Sequence, residues 1–137
     1  MSKIREFNRF YTNITGVINN HILESDYSLT EVRIMFEVYH NPAITARKIM
    51  ETIQVDEGYL SRLINSLIKR KIIIRKKIKE DGRVYALALS TKGEKIFLQL
   101  NQRSSDKVEE TIAHLTKDEQ KELINLMERV KELLVKN

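Results

Sequence analysis

From Thr45 to Gly93 the chain reads TARKIMETIQVDEGYLSRLINSLIKRKIIIRKKIKEDGRVYALALSTKG, and its hydrophobic period changes partway along. Thr45 is placed to cap a short helix running from Ala46 to about Ile53. Asp56 is a second N-cap, and Leu60, Leu63, Ile64, Leu67 and Ile68 behind it recur at helical spacing. After Lys71 the period becomes that of strands. Ile72-Ile73-Ile74 and Val84-Tyr85-Ala86-Leu87-Ala88-Leu89 are β-branched or apolar runs, and Asp81-Gly82 between them is a hairpin turn signal. Helix, tight connection, helix and basic two-stranded ribbon, in that order, is how a winged helix-turn-helix is written in sequence.

The flanks are helical. Ile4, Phe7, Tyr11, Ile14, Ile18 and Ile22 fall on one face of a helix from about Lys3 to Leu23, and Phe10, Val17 and His21 widen that stripe. Ser28-Leu29-Thr30-Glu31 fits a capping box, followed by Val32, Ile34, Met35, Val38 and Tyr39 as a buried side and by Asn41-Pro42 as a stop. Thr91-Lys92-Gly93-Glu94 repeats the box spacing at the start of a long helix, and Thr116-Lys117-Asp118-Glu119 repeats it again. The last helix lines up Leu123, Ile124, Met127, Val130, Leu133 and Leu134. The expected fold is mainly α with a small β-wing, in a single domain over residues 1–137. A winged helix occupies 28–94. The helices of 1–27 and 95–137 carry apolar stripes too wide to bury in one copy, and so form a dimerisation region.

The net charge is +5, but residues 45–95 alone carry +7 and each flank −1. The positive charge therefore coincides with the helix pair and ribbon, where it suits phosphate neutralisation and counterion release. A chain without cysteine has no disulfide and no thiolate metal site, which fits a cytoplasmic location. The opening MSKIREFNRFYTNI lacks the apolar core of a signal peptide, and no run approaches a bilayer span, so no membrane partner is expected.

On the helix after Asp56, the positions outside the apolar face include Tyr59, Ser61, Arg62, Asn65 and Lys69. These types suit a groove: Arg for guanine edges or phosphate, Asn for adenine, Ser and Tyr for phosphate. Arg75, Lys76, Lys77, Lys79 and Arg83 bracket the ribbon tip; of these Lys76, Lys77, Lys79 and Arg83 are the candidate DNA contacts, and Arg47 and Lys48 can reach backbone from the first helix of the pair. An ordinary solvated helix carries the same residue types.

The stretches SLTEVRIMFEV (28–38), TARKIMETIQVDEGYLSRLINSLIKRKII (45–73), DGRVYALALSTKGE (81–94) and LTKDEQKELINLMERVKELL (115–134) together resemble the MarR family of winged helix-turn-helix transcription regulators. Leu60-Ser61-Arg62, Asp81-Gly82-Arg83 and Leu89-Ser90-Thr91-Lys92-Gly93 carry most of the likeness. One position departs: the family usually has glycine between recognition helix and wing, where this chain has Lys71. The resemblance implies a homodimer on a pseudo-palindromic duplex, acting as a repressor. It also implies a crevice for a small aromatic or anionic effector, for which Phe7, Arg9, Phe10, Tyr11, Asn13, Ile14 and Met35 are candidates. Phe7, Phe10, Tyr11, Ile14 and Met35 of that set suit dimer or domain core better than a pocket.

A different class of function also fits: a winged-helix interaction module whose basic face holds an acidic protein or RNA. The outward Ser61, Arg62 and Asn65 favour DNA. An enzyme fits poorly, because His21, His40 and His114 stand apart, without metal-ligand spacing, phosphate loop or nucleophile elbow. No metal or cofactor is expected.

Overall fold

The computed structural model describes residues 1–23, 25–78 and 84–135, with the backbone alone for residues 17 and 20–23. Along the chain lie α1 (Ser2–Leu23), α2 (Leu29–His40), α3 (Ala46–Thr52), α4 (Glu57–Lys69), β1 (Ile73–Lys77), β2 (Tyr85–Leu89), α5 (Thr91–Ile112) and α6 (Lys117–Leu134). They form two compact units, residues 1–104 and 105–137.

In the first unit the core gathers Ile34, Met35 and Val38 of α2, Ile49 of α3, and Leu60, Ile64 and Leu67 of α4. Ile72, Ile73, Leu87 and Phe97 close it from the wing and α5. Helix starts follow the local capping chemistry. The Ser28 hydroxyl accepts from Glu31 N–H at 3.2 Å, and the Glu31 carboxylate accepts from Ser28 N–H at 3.0 Å. Asp56 accepts from Tyr59 N–H at 2.9 Å, and Thr45 from Lys48 N–H at 3.2 Å. Tyr39, expected on the buried side of α2, is 39% exposed, because its ring lies against Phe97 at the edge of the core, 4.8 Å between centroids.

Glu31 has a second partner. Its buried carboxylate pairs with the guanidinium of Arg70, the residue that ends α4, and that guanidinium lies over the Tyr27 ring at 5.4 Å. The start of α2 is thereby tied to the end of α4.

The end of α4 explains how a lysine stands where glycine is usual. Lys71 takes φ 61°, the left-handed region. Its N–H donates to Ile68 O at 3.0 Å and the N–H of Ile72 donates to Leu67 O at 2.9 Å, the bond pair of a Schellman motif. Leu67 and Ile72, both fully buried, supply the accompanying apolar contact. Because the Ile72 amide is spent on the helix, the strand begins at Ile73, one residue later than the run of isoleucines suggests.

β1 and β2 pair antiparallel, from Ile73 opposite Leu89 to Lys77 opposite Tyr85. The Leu87 N–H donates to Ile44 O at 2.8 Å, tying the ribbon to the segment before α3. The cap of α5 is Ser90, not Thr91. Its hydroxyl accepts from Gly93 N–H at 2.9 Å and donates to Lys71 O at 2.6 Å, so one side chain both starts α5 and holds the exit of α4. Gly93 is required there: a Cβ would stand 2.1 Å from Ile72 O. On α1, Phe7 and Phe10 are 51% and 60% exposed, and Phe7 stacks on Tyr11.

In the second unit, Thr116 and Glu119 form the expected capping box. The backbone N–H of Thr116, then its hydroxyl, hold the Glu119 carboxyl below the usual carboxylate range, with His114 adding to the effect. Ile124, Met127, Val130, Leu133 and Leu134 leave an open apolar stripe along α6. Among the described residues, no helix is long and apolar enough to cross a membrane.

Candidate nucleic-acid interface

Burying Leu60, Ile64 and Leu67 turns the opposite face of α4 to solvent. Tyr59, Arg62, Asn65 and Lys69 are exposed and Ser61 is half-buried. The steps from Arg62 to Asn65 to Lys69 are three and four residues, so these side chains line one outward strip. The Arg62 guanidinium lies back over the first turn of α4. Its Nη1 is 3.6 Å from where a Cβ on Gly58 would stand, and it has no ion-pair partner among the described residues. A cation without an ion-pair partner among the described residues is available to a phosphate or a base edge.

Arg47 and Lys48 are exposed on α3, but the Lys48 ammonium lies 3.5 Å from the Glu51 carboxylate. Lys76 and Lys77 are exposed on β1. Lys79 and Arg83, with the Asp81-Gly82 turn, lie outside the described residues.

Sequence reading placed Arg75 among the basic residues around the ribbon tip but not among the DNA contacts. It is exposed on β1 and its guanidinium donates to the Asn65 side chain on α4 at 3.1 Å, joining ribbon to helix. The signal was available: strand alternation puts Arg75 on the same side as buried Ile73. The arrangement presents a convex helix face of donors and cations beside a basic ribbon.

The residues suggested for an effector crevice are dispersed by burial. Phe7, Arg9, Phe10, Tyr11 and Asn13 are exposed on α1, and Ile14 is half-buried. Met35 belongs to the core, because its place on α2 turns it inward with Ile34 and Val38; it has no exposed surface to offer a ligand. One concavity of the first unit is lined by Tyr27, Ile96, Leu100 and Arg103 among others, and a second, at the wing base, by Val38, Pro42, Lys76 and Ala86 among others. Neither takes in any of the seven.

Compared with known families, residues 27–85 match the MarR family. The winged helix-turn-helix of this chain is the part that matches that family. The match runs from Tyr27, before α2, to Tyr85, the first residue of β2. Among individual proteins, the HTH-type transcriptional regulator BilQ of Clostridium symbiosum is 23% identical over 121 residues, covering 88% of this chain and 84% of that protein. The HTH-type transcriptional regulator MhqR of Bacillus subtilis is 23% identical over 122 residues, covering 89% and 84%.

Solved structures agree on the fold. A MepR mutant from S. aureus superposes with a TM-score of 0.79 at 17% identity, covering 94% of this chain and 96% of that one. A MarR mutant from E. coli, crystallised with operator DNA, gives 0.74 at 23% identity, covering 95% and 94%. BilQ and MhqR both carry the name of HTH-type transcriptional regulators.

Proposed function

We propose that this chain is a transcription regulator, a cytoplasmic homodimer that binds a pseudo-palindromic DNA operator, represses transcription there, and is released by a small aromatic or anionic effector. One observation carries the DNA assignment: Arg62, Asn65 and Lys69 share one exposed strip of α4, beside the cations of β1. In this assignment α4 enters the major groove. Arg62 and Asn65 meet base edges, while Ser61, Tyr59 and Lys69 meet the flanking backbone. Lys76, Lys77, Lys79 and Arg83 reach phosphates from the wing, and Arg47 and Lys48 do so from α3. That a MarR of the same fold has been crystallised with operator DNA supports the assignment.

Residues 28–94 form the DNA-binding region, and the helices of 1–27 and 95–137 form the dimerisation region. The open apolar stripes on α1 and on α6 support this, since water is a poor neighbour for stripes of that kind. Two α4 helices then sit about one helical turn of DNA apart, roughly 34 Å. An effector acts by favouring a spacing that misses the two grooves.

The test is selection from random duplex DNA with the purified chain, followed by a salt titration on the enriched pool. A pseudo-palindrome should emerge, bound by one dimer, with the logarithm of affinity falling by about 0.9 per phosphate contact per logarithm of salt. Arg62→Ala should weaken that binding while the dimer persists. Binding that is weak and equal for all sequences would favour an interaction module instead.

A further inference from the structure

Asn65 and Arg75 are ten residues apart in sequence, yet the Nη2 of Arg75 donates to the Oδ1 of Asn65 at 3.1 Å. Arginine has five N–H donors and no acceptor, so only the carbonyl end of the amide can face it. The orientation of Asn65 is thereby set by chemistry. Its Nδ2, carrying two donors, is the end left to a ligand, and no described residue accepts from it. Both residues are exposed, on the strip of α4 and β1 assigned above to the duplex.

An unencumbered asparagine reads adenine with both ends of its amide: Nδ2 donates to N7 and Oδ1 accepts from the N6 amino group. Here Oδ1 already receives one hydrogen bond from a cation. Its second lone pair is open, but an adenine amino group placed there would bring its partly positive hydrogens beside a guanidinium. Guanine offers the opposite pattern. N7 and O6 are both acceptors, suited to Nδ2 and to the remaining donors of Arg75. The electrostatic term therefore favours guanine over adenine at this one base pair.

We propose that Arg75 is a specificity-determining residue: by holding the Oδ1 of Asn65, it turns an asparagine that would read adenine into half of a guanine-reading pair. The inference rests on the DNA reading of the preceding subsection.

Selection from random duplexes with the full-length parent, Asn65→Ala and Arg75→Met tests it. Asn65→Ala should relax one base pair in each half-site and so mark the position read. In the parent that position should be G·C, preferred over A·T by roughly tenfold, the scale of one good bidentate contact. In Arg75→Met the preference should disappear or pass to A·T, with the other positions of the half-site unchanged. Asn65→Asp, which keeps the bond to Arg75 but has no donors, should also lose guanine.

The proposal is overturned if the parent prefers A·T at that position. It is equally overturned if guanine survives in Arg75→Met, or if Asn65→Ala relaxes no position. In each of these cases the parent still enriches an operator and the DNA reading stands. If the parent enriches nothing, the DNA reading falls and this inference with it.

Discussion

Replacing Lys71 with glycine should stabilise the protein, although it deletes a side chain and a charge. Lys71 holds φ 61°, and the left-handed region costs an L-residue about 1–2 kcal/mol. The bonds from Lys71 to Ile68 and from Ile72 to Leu67 keep it there. Glycine removes the steric cost. Against that stands the larger freedom of glycine in the unfolded chain, about 0.4–1 kcal/mol. Loss of a cation near a helix C-terminus subtracts about 0.3 kcal/mol more. The balance is a gain of about 0.5 kcal/mol.

Unfolding entropy is about 2.1 cal/mol/K per residue, so over the 137-residue chain this gain raises Tm by about 2 °C. Lys71→Ala keeps a Cβ in the strained region and should gain nothing. Lys71→Val crowds that region further and should lower Tm. Thermal and urea unfolding of all four proteins at one fixed concentration makes the comparison. If the glycine variant were no more stable than the alanine variant, Lys71 would not be left-handed in solution, and the Schellman closure of α4 would be wrong.

Three other outcomes follow from the same geometry. Gly93→Ala drives a methyl group into the Ile72 carbonyl and should cost about 3 kcal/mol in urea unfolding; a loss under 1 kcal/mol would mean that α5 stands farther from the wing. Arg70→Ala leaves the Glu31 carboxylate, 10% exposed, without its cation; because Arg70 is itself 38% exposed, the expected loss is about 1–2 kcal/mol rather than that of a fully buried pair, and a double-mutant cycle with Glu31→Gln should show the coupling. The lowered pKa of Glu119 means that its capping contribution is complete above the usual carboxylate range and is lost as pH falls through the folded-state value. The carboxyl carbon shift of Glu119, followed by NMR, should titrate below 4.5, and a midpoint at or above 4.5 would contradict the box.

Most helix starts were legible because capping is a three-residue affair. Ser28 with Glu31, Thr116 with Glu119, and Asp56 with Tyr59 are decided by groups next to one another in the chain. The one misplaced cap shows the limit of that logic. Thr91 and Glu94 have the box spacing, but Ser90, one residue earlier, can both cap Gly93 and reach Lys71. The outward strip of α4 was legible for a related reason: once the period assigns Leu60, Ile64 and Leu67 to the core, Arg62, Asn65 and Lys69 have only the other face. Arg75 was read only as one more cation of the ribbon, because its bond to Asn65 is something its own strand does not state.

The sequence by itself determined the order of elements, the inward and outward faces of α4, and the concentration of positive charge between residues 45 and 95. These rest on backbone hydrogen bonding, side-chain periodicity and composition, all of which act over a few residues. Only the tertiary structure decided that Lys71 takes a glycine's conformation, that Ser90 pins the exit of α4, that Arg70 holds Glu31, and that Arg75 orients Asn65. The last three are contacts between residues that the fold brings together from different elements. The left-handed Lys71 follows from the same cause: burying Leu67 and Ile72 in one core forces the turn between them, whatever residue stands there.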